Sequence, residues 1–248
     1  MLRNREMESA MNELNQKLSS YIKLRNGSYP FPVDSVLFFA LTLQISSLQN
    51  KHGDLLEIGV EHGGTALLLA QYLKQEEFLH LIDLKLSERF SSSLKKINED
   101  KRNNIIFYEE SSRSKSLHYL DQLKFRYIHI DGGHSYDDVL SDAIRFANSL
   151  TDSGICVFDD FFEIRWPEVT MAVIDFLKEA SIAPFLLVDR KLYCTPKYNQ
   201  ELMLGAVQTS LKQLDNFGTH RKWIEKINGF NTLIVKFDVN SETRKKFK

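Results

Sequence analysis

Three acids and an imidazole stand where this chain is best placed to do chemistry. The apolar run Tyr127-Ile-His-Ile closes on Asp131, and Gly132-Gly133 then presents His134 just before Ser135. A second apolar run, Gly154-Ile-Cys-Val-Phe, closes on Asp159 and Asp160. Both runs read as buried strands, so all three carboxylates fall at strand ends. Carboxylates are hard oxygen ligands and suit Mg²⁺ or Mn²⁺ better than zinc. Acids brought this close repel one another unless a cation or a proton relieves them. The pattern predicts a catalytic metal site at Asp131, Asp159 and Asp160. An imidazole takes up a proton near neutral pH, which makes His134 the candidate general base. The alternative for His134 is a turn residue ahead of a helix cap at Ser135. For Asp159 and Asp160 the alternative is capping of the following loop. His129 alternates with apolar neighbours and reads as core. Tyr136, Phe161, Phe162 and Trp166 follow the acidic turns and are candidates for a substrate wall or for the core.

Strand ends act together only if a sheet aligns them. Residues 55–59, 78–83, 104–108, 127–131 and 155–159 read as strands, with helical patterns at 63–73, 87–97, 115–123, 135–150 and 167–180. Nearly continuous apolar strands alternating with helices predict a parallel sheet covered on both faces. Ligands then bind outside the carboxyl ends of the strands. Residues 184–188 and 192–195 flank Asp189-Arg-Lys191 and predict an antiparallel hairpin. Ahead of the sheet, helices are expected over 5–24 and 34–49, broken by turn chemistry at 26–32. They would form a lid, a dimer face or a packed layer. Beyond the hairpin, 198–230 has a helical pattern broken near 216–219, and 232–237 reads as a strand. The expected parts are an N-terminal helical extension (1–52), a core (53–196) and a C-terminal helical extension ending in a strand (197–248).

The first strand runs into its helix through Glu57-Ile-Gly-Val-Glu-His-Gly-Gly-Thr65. Its glycines let the backbone approach a ligand and adopt positive φ. The helix start at Gly64-Thr65 offers free N–H groups to an anion. The spacing is neither a dinucleotide fingerprint nor a phosphate-binding P-loop. Asp83, ending the next strand, is placed to accept hydrogen bonds from ribose hydroxyls.

Together, Glu-x-Gly-x-x-x-Gly-Gly-Thr, the Asp-ended second strand and the later Ile-Asp-Gly-Gly-His-Ser-Tyr and Val-Phe-Asp-Asp runs carry a family likeness. The chain resembles class I S-adenosylmethionine-dependent methyltransferases over residues 54–195, and within them metal-dependent O-methyltransferases such as the macrocin-type enzymes that modify sugar hydroxyls. The resemblance implies an α/β, Rossmann-like sheet, mostly parallel with one antiparallel hairpin strand, helices on both faces and helical extensions. It implies that Glu57, Gly59, Gly63 and Thr65 line the methionine end of the cofactor, that Asp83 binds its ribose, and that Ser111 or Ser112 lies by its adenine. It implies that Asp131, Asp159 and Asp160 bind Mg²⁺ or Mn²⁺. In some of these enzymes a lysine base occupies the offset where this chain has His134.

Composition sets the outer bounds. The 248 residues are 43% hydrophobic and 26% charged, which suits one large domain or one with extensions. A net charge of −1 gives no global attraction to nucleic acid or an anionic membrane. The longest apolar run, residues 36–45, is too short to span a bilayer. The polar N-terminus does not read as a signal peptide. Cys156 and Cys194 lie in apolar runs and suit buried free thiols in a reducing compartment. The basic tail, residues 244–248, reads as a solvated end. The expectation is a cytoplasmic enzyme acting on a small hydroxylated molecule, with no nucleic-acid or membrane partner; its terminal helices are compatible with a homodimer. A cofactor-binding protein without turnover, acting through those helices, is the alternative. A nicotinamide-dependent dehydrogenase fits poorly, because the dinucleotide fingerprint is missing.

Overall fold

A computed structural model describes residues 4–25, 32–49 and 52–247. The break expected at 26–32 lies outside them, except for Pro32. Two helices, α1 (Asn4–Arg25) and α2 (Val33–Gln49), precede the first strand. Residues 35 to 46 of α2 are all buried, so this helix is hydrophobic all round and lies inside the molecule. Of the readings open for this segment, α2 is a packed layer on the core.

Strands β1 (Asp54–Ile58), β2 (Leu79–Asp83), β3 (Ile105–Glu109), β4 (Phe125–Ile130) and β5 (Leu150–Phe158) pair in parallel, in the order β3-β2-β1-β4-β5. The strand order reverses between β1 and β4, which opens a crevice at their carboxyl ends. Ile58 pairs with Ile130, and Ile130 with Phe158, so Gly59, Asp131 and Asp159 come level beyond the sheet. Helices α3 (Gly64–Tyr72), α4 (Glu88–Leu94), α5 (Glu99–Arg102), α6 (Tyr136–Phe146) and α7 (Pro167–Glu179) connect and cover these strands. One face packs α1, α2 and α3, and the other packs α6 and α7.

β6 (Ile182–Val188) and β7 (Lys191–Pro196) form the expected hairpin, and β7 pairs antiparallel with β5. Asp189 carries the turn at φ 52°. Cys156 and Cys194 face each other across β5 and β7 as buried free thiols.

The C-terminal segment departs from the helical expectation for 198–230. Helix α8 (Gln200–Ser210) and a 3₁₀ turn (Leu211–Leu214) agree with it, but Gly218–Ile227 is strand β8. It pairs antiparallel with β9 (Phe230–Val239), which adds in parallel to β6. β8 is an edge strand exposed along nearly all its length, so no burial alternation marks it. Its conformation is imposed by pairing with β9. The sheet has nine strands, and the C-terminal segment belongs to it. A short helix, α9 (Ser241–Lys246), follows. Among the described residues no helix is long and apolar enough to cross a membrane.

Candidate active site

The loop between β1 and α3 is shaped by two glycines. Gly59 sits at φ +83°, and a Cβ there would lie 1.8 Å from the carbonyl oxygen of Asp131. Gly63, at φ +75°, would drive a Cβ to 2.0 Å from the Phe90 ring. Only glycine allows the loop to lie against β4 and start α3 there. Asp83 locks the loop: one carboxylate oxygen accepts from Val60 N (2.7 Å) and Glu61 N (2.8 Å). Its other oxygen has one long contact, from Lys85 N at 3.4 Å. No side chain caps α3, so its first N–H groups at Gly64 and Thr65 face the cavity.

That cavity, about 750 Å³, runs from Glu57, the glycine loop and Asp83 past Ser111 and Ser112 at one end to Asp131, His134, Asp159 and Asp160 at the other. All the residues singled out for cofactor, metal and base line it, except Gly63, which shapes the loop from below. Phe161 is fully buried in the core, whereas Trp166 lines the cavity. Tyr136 bonds Asp175 at 3.0 Å and Phe162 is exposed; neither lines the cavity.

Glu57 is 1% exposed. Its Oε1 lies 3.1 Å from Nδ1 of His129, and its Oε2 is buried without a hydrogen-bond partner. Burial pushes its pKa up, against the pull of His129 and Lys191. His129, read from sequence as core, is fully buried and contacts both Glu57 and Lys191. Its Nε2 lies 3.3 Å from Nζ of Lys191. The same Nε2 lies 3.6 Å from Asp159. Lys191, 3% exposed, also makes an ion pair with Asp159. A buried chain thus links Glu57 through His129 and Lys191 to Asp159. Sequence reasoning had Lys191 only as a hairpin link. The available signal was a cation entering an apolar strand, Lys191-Leu-Tyr-Cys.

The acids differ in charge environment. Burial and the negative charge of Asp159 raise the pKa of Asp131 well above the carboxylate range. Burial also works against the charge on Asp159, but Lys191 and His129 outweigh it and hold its pKa well below that range. Asp160, at φ 53°, lies 3.1 Å from Nε2 of His134 and 3.3 Å from Arg190. Burial and Asp159 raise its pKa. His134 stacks on Trp166, with ring centroids 4.5 Å apart at 13°. Among the described residues, ligand atoms within 4.8 Å of one another form two groups that share Asp131: His129, Asp131 and Asp159, and Asp131, His134 and Asp160.

Residues 56–161 match the family model of a methyltransferase domain. A TDP-rhamnose 3'-O-methyltransferase of calicheamicin biosynthesis, CalS11, is similar in structure at 16% identity and a TM-score of 0.51, covering 79% of this chain and 96% of that one. An O-methyltransferase from Bacillus cereus is similar at 15% identity and a TM-score of 0.51, covering 76% of this chain and 91% of that one. These likenesses establish a Rossmann-like fold. No curated protein matches the chain.

The site fits the S-adenosylmethionine that the resemblance implies on an observation of its own. The orphaned Oε2 of Glu57 needs a donor, and an amino-acid ammonium supplies one. The free N–H groups of α3 suit the matching carboxylate. A divalent ion also fits, because Asp131 and Asp160 offer oxygen ligands in a cluster whose own negative charge raises their pKa values. Lys191 and Arg190 reach the site from outside the matched span.

Proposed function

We propose that this chain transfers a methyl group from S-adenosylmethionine to a hydroxyl of a small molecule, a sugar or natural-product alcohol, with help from Mg²⁺ or Mn²⁺. The observation that carries the reading is the single cavity with the unpartnered Glu57 carboxylate at one end and the Asp131–His134–Asp160 group at the other. Glu57 takes the cofactor's ammonium, and the glycine loop and the start of α3 take its carboxylate. Asp83 offers its less-used oxygen to the ribose, and Ser111 and Ser112 border the adenine. The cofactor supplies a methyl on a sulfonium, already a good leaving group. What remains for the protein is a nucleophilic oxygen, held in line.

His134 removes the hydroxyl proton, its ring set by Asp160 and by the stack on Trp166. Asp131 and Asp160 would hold the ion, with Asp159 the third acid of the cluster. When bound, the ion lowers the acceptor hydroxyl's pKa and fixes its direction. The sugar acceptor is supported by the similarity to the TDP-rhamnose 3'-O-methyltransferase. Two buried free thiols suit a reducing cytoplasm.

Calorimetric titration with S-adenosylhomocysteine tests the cofactor half. Binding is expected in the unaltered chain and weakens about tenfold or more in Glu57→Gln, which loses a charge-assisted contact. No binding at millimolar concentration sinks the reading. Methyl transfer across a panel of sugars and alcohols, with Mg²⁺ or with chelator, tests the other half.

A further inference from the structure

Lys191 is the least expected charge in the site. The tight turn at Asp189 and Arg190 delivers it, and Val188 pairs with it across the hairpin. Ser35 of α2 bonds Asp189 at 3.1 Å, and Arg190 O accepts from Phe161 N at 2.8 Å, so the turn is tied on two sides. The ammonium lies over the Phe39 ring at 5.9 Å, beside His129, and in an ion pair with Asp159.

A carboxylate already matched by a fixed ammonium is a poor ligand for a divalent cation. The ion would gain little from a neutralised acid and would meet a positive charge a few ångströms away in a poorly solvated site. Lys191 pairs with neither Asp131 nor Asp160, and the Arg190 guanidinium, 3.3 Å from Asp160, lies closer to Glu163. With His134 they form a group that leaves Asp159 out.

We propose that Lys191 is a built-in cation that occupies Asp159 and keeps it out of the divalent-ion shell, leaving a bound ion to Asp131 and Asp160, with His134 beside them as the base. This rests on the ion-assisted reading above and departs from the ligand set that the family resemblance implies. Lys191 is here a positioning residue: it acts through Asp159.

The test is Mn²⁺ affinity, read by calorimetry and by electron paramagnetic resonance in the presence of S-adenosylhomocysteine, with thermal melts to check folding. Lys191→Met should free Asp159 and tighten Mn²⁺ binding about tenfold or more. Lys191→Arg keeps the charge and should bind Mn²⁺ as the unaltered chain does, an outcome that loss of packing would not give. Asp159→Asn, with Lys191 in place, should leave Mn²⁺ affinity unchanged. A roughly tenfold loss in Asp159→Asn would show Asp159 to be a ligand and overturn the proposal, as would unchanged or weaker binding in Lys191→Met. If the unaltered chain takes up no Mn²⁺ but Lys191→Met does, Lys191 excludes the ion altogether, and the ion-assisted reading fails and the proposal with it. If neither takes it up, both fail. Should Lys191→Met not fold, Lys191→Gln carries the same comparison.

Discussion

Two buried acids in the cavity carry a stability cost. Burial raises the pKa of Glu57, so the folded chain holds this proton to higher pH than the unfolded chain does. Its contribution to stability is present at low pH and is lost as pH rises through the folded value. Glu57→Gln removes that loss while keeping the shape. We expect its melting temperature at pH 8 to be no lower than that of the unaltered chain, even as cofactor affinity falls. A melting temperature well below would make Glu57 a structural acid. Asp142 of α6 lines the same cavity near Ser112, and burial raises its pKa from 3.8 to about 6. Between those values the folded chain holds a proton that the unfolded chain has released. Stability therefore falls as pH rises through that window and levels off above it. Asp142→Asn should be more stable than the unaltered chain above the window, by up to about 3 kcal/mol, and no different below it. Chemical denaturation at the two pH extremes reads the difference directly. The strand-end acids were legible because chemistry there needs their residue types at those places. Glu57 was legible through its glycines. Asp142, His129 and Lys191 were not, because each gains its role only from neighbours brought in by the fold.

At the scale of elements, the site depends on how closely the β1–α3 loop lies against β4. Gly59→Ala meets both a left-handed φ and a backbone oxygen at 1.8 Å. The loop must lift, and Asp83 then loses its contacts with Val60 N and Glu61 N. We expect a loss of about 3 kcal/mol or more, with cofactor binding abolished. Gly64→Ala is the control, since a Cβ there meets nothing within 4 Å. Equal damage from both would mean that the loop conformation is not what matters. The alternating core was readable in sequence because its strands are buried on both faces and its helices are amphipathic. The C-terminal strand β8 was misread for the complementary reason. Residues 219 to 226 of β8 are all exposed or half-buried, so its side chains carry no period, and only pairing with β9 makes it a strand. The N-terminal α2 was open between lid and layer because an all-round apolar helix has no polar face to show which side meets solvent.

At the scale of the molecule, the cavity is completed and backed by parts that lie outside the matched span, residues 56–161. Phe39 of α2 packs edge-on against His129 at 5.1 Å, and Thr42 bonds the Tyr127 hydroxyl at 2.8 Å. The β6–β7 hairpin delivers Lys191, and β9 covers the far edge of β6. One hydrophobic cluster runs from Leu14 of α1 through α2 and β4 to Phe237 of β9 and Phe247. A core shared in this way has no internal boundary at which the extensions could detach, so unfolding should be a single transition. The chain has two tryptophans, and they sit at opposite ends of the question. Trp166 stacks on His134 at the cavity rim, and Trp223 stands half-exposed on the edge strand β8. Trp166→Phe and Trp223→Phe each leave one reporter. In urea the two should give the same midpoint, and both should match the loss of helical circular dichroism. An earlier midpoint from Trp223 would mean that the β8–β9 hairpin melts on its own. The rest of the sheet would then keep its fold without the strand that now closes its edge.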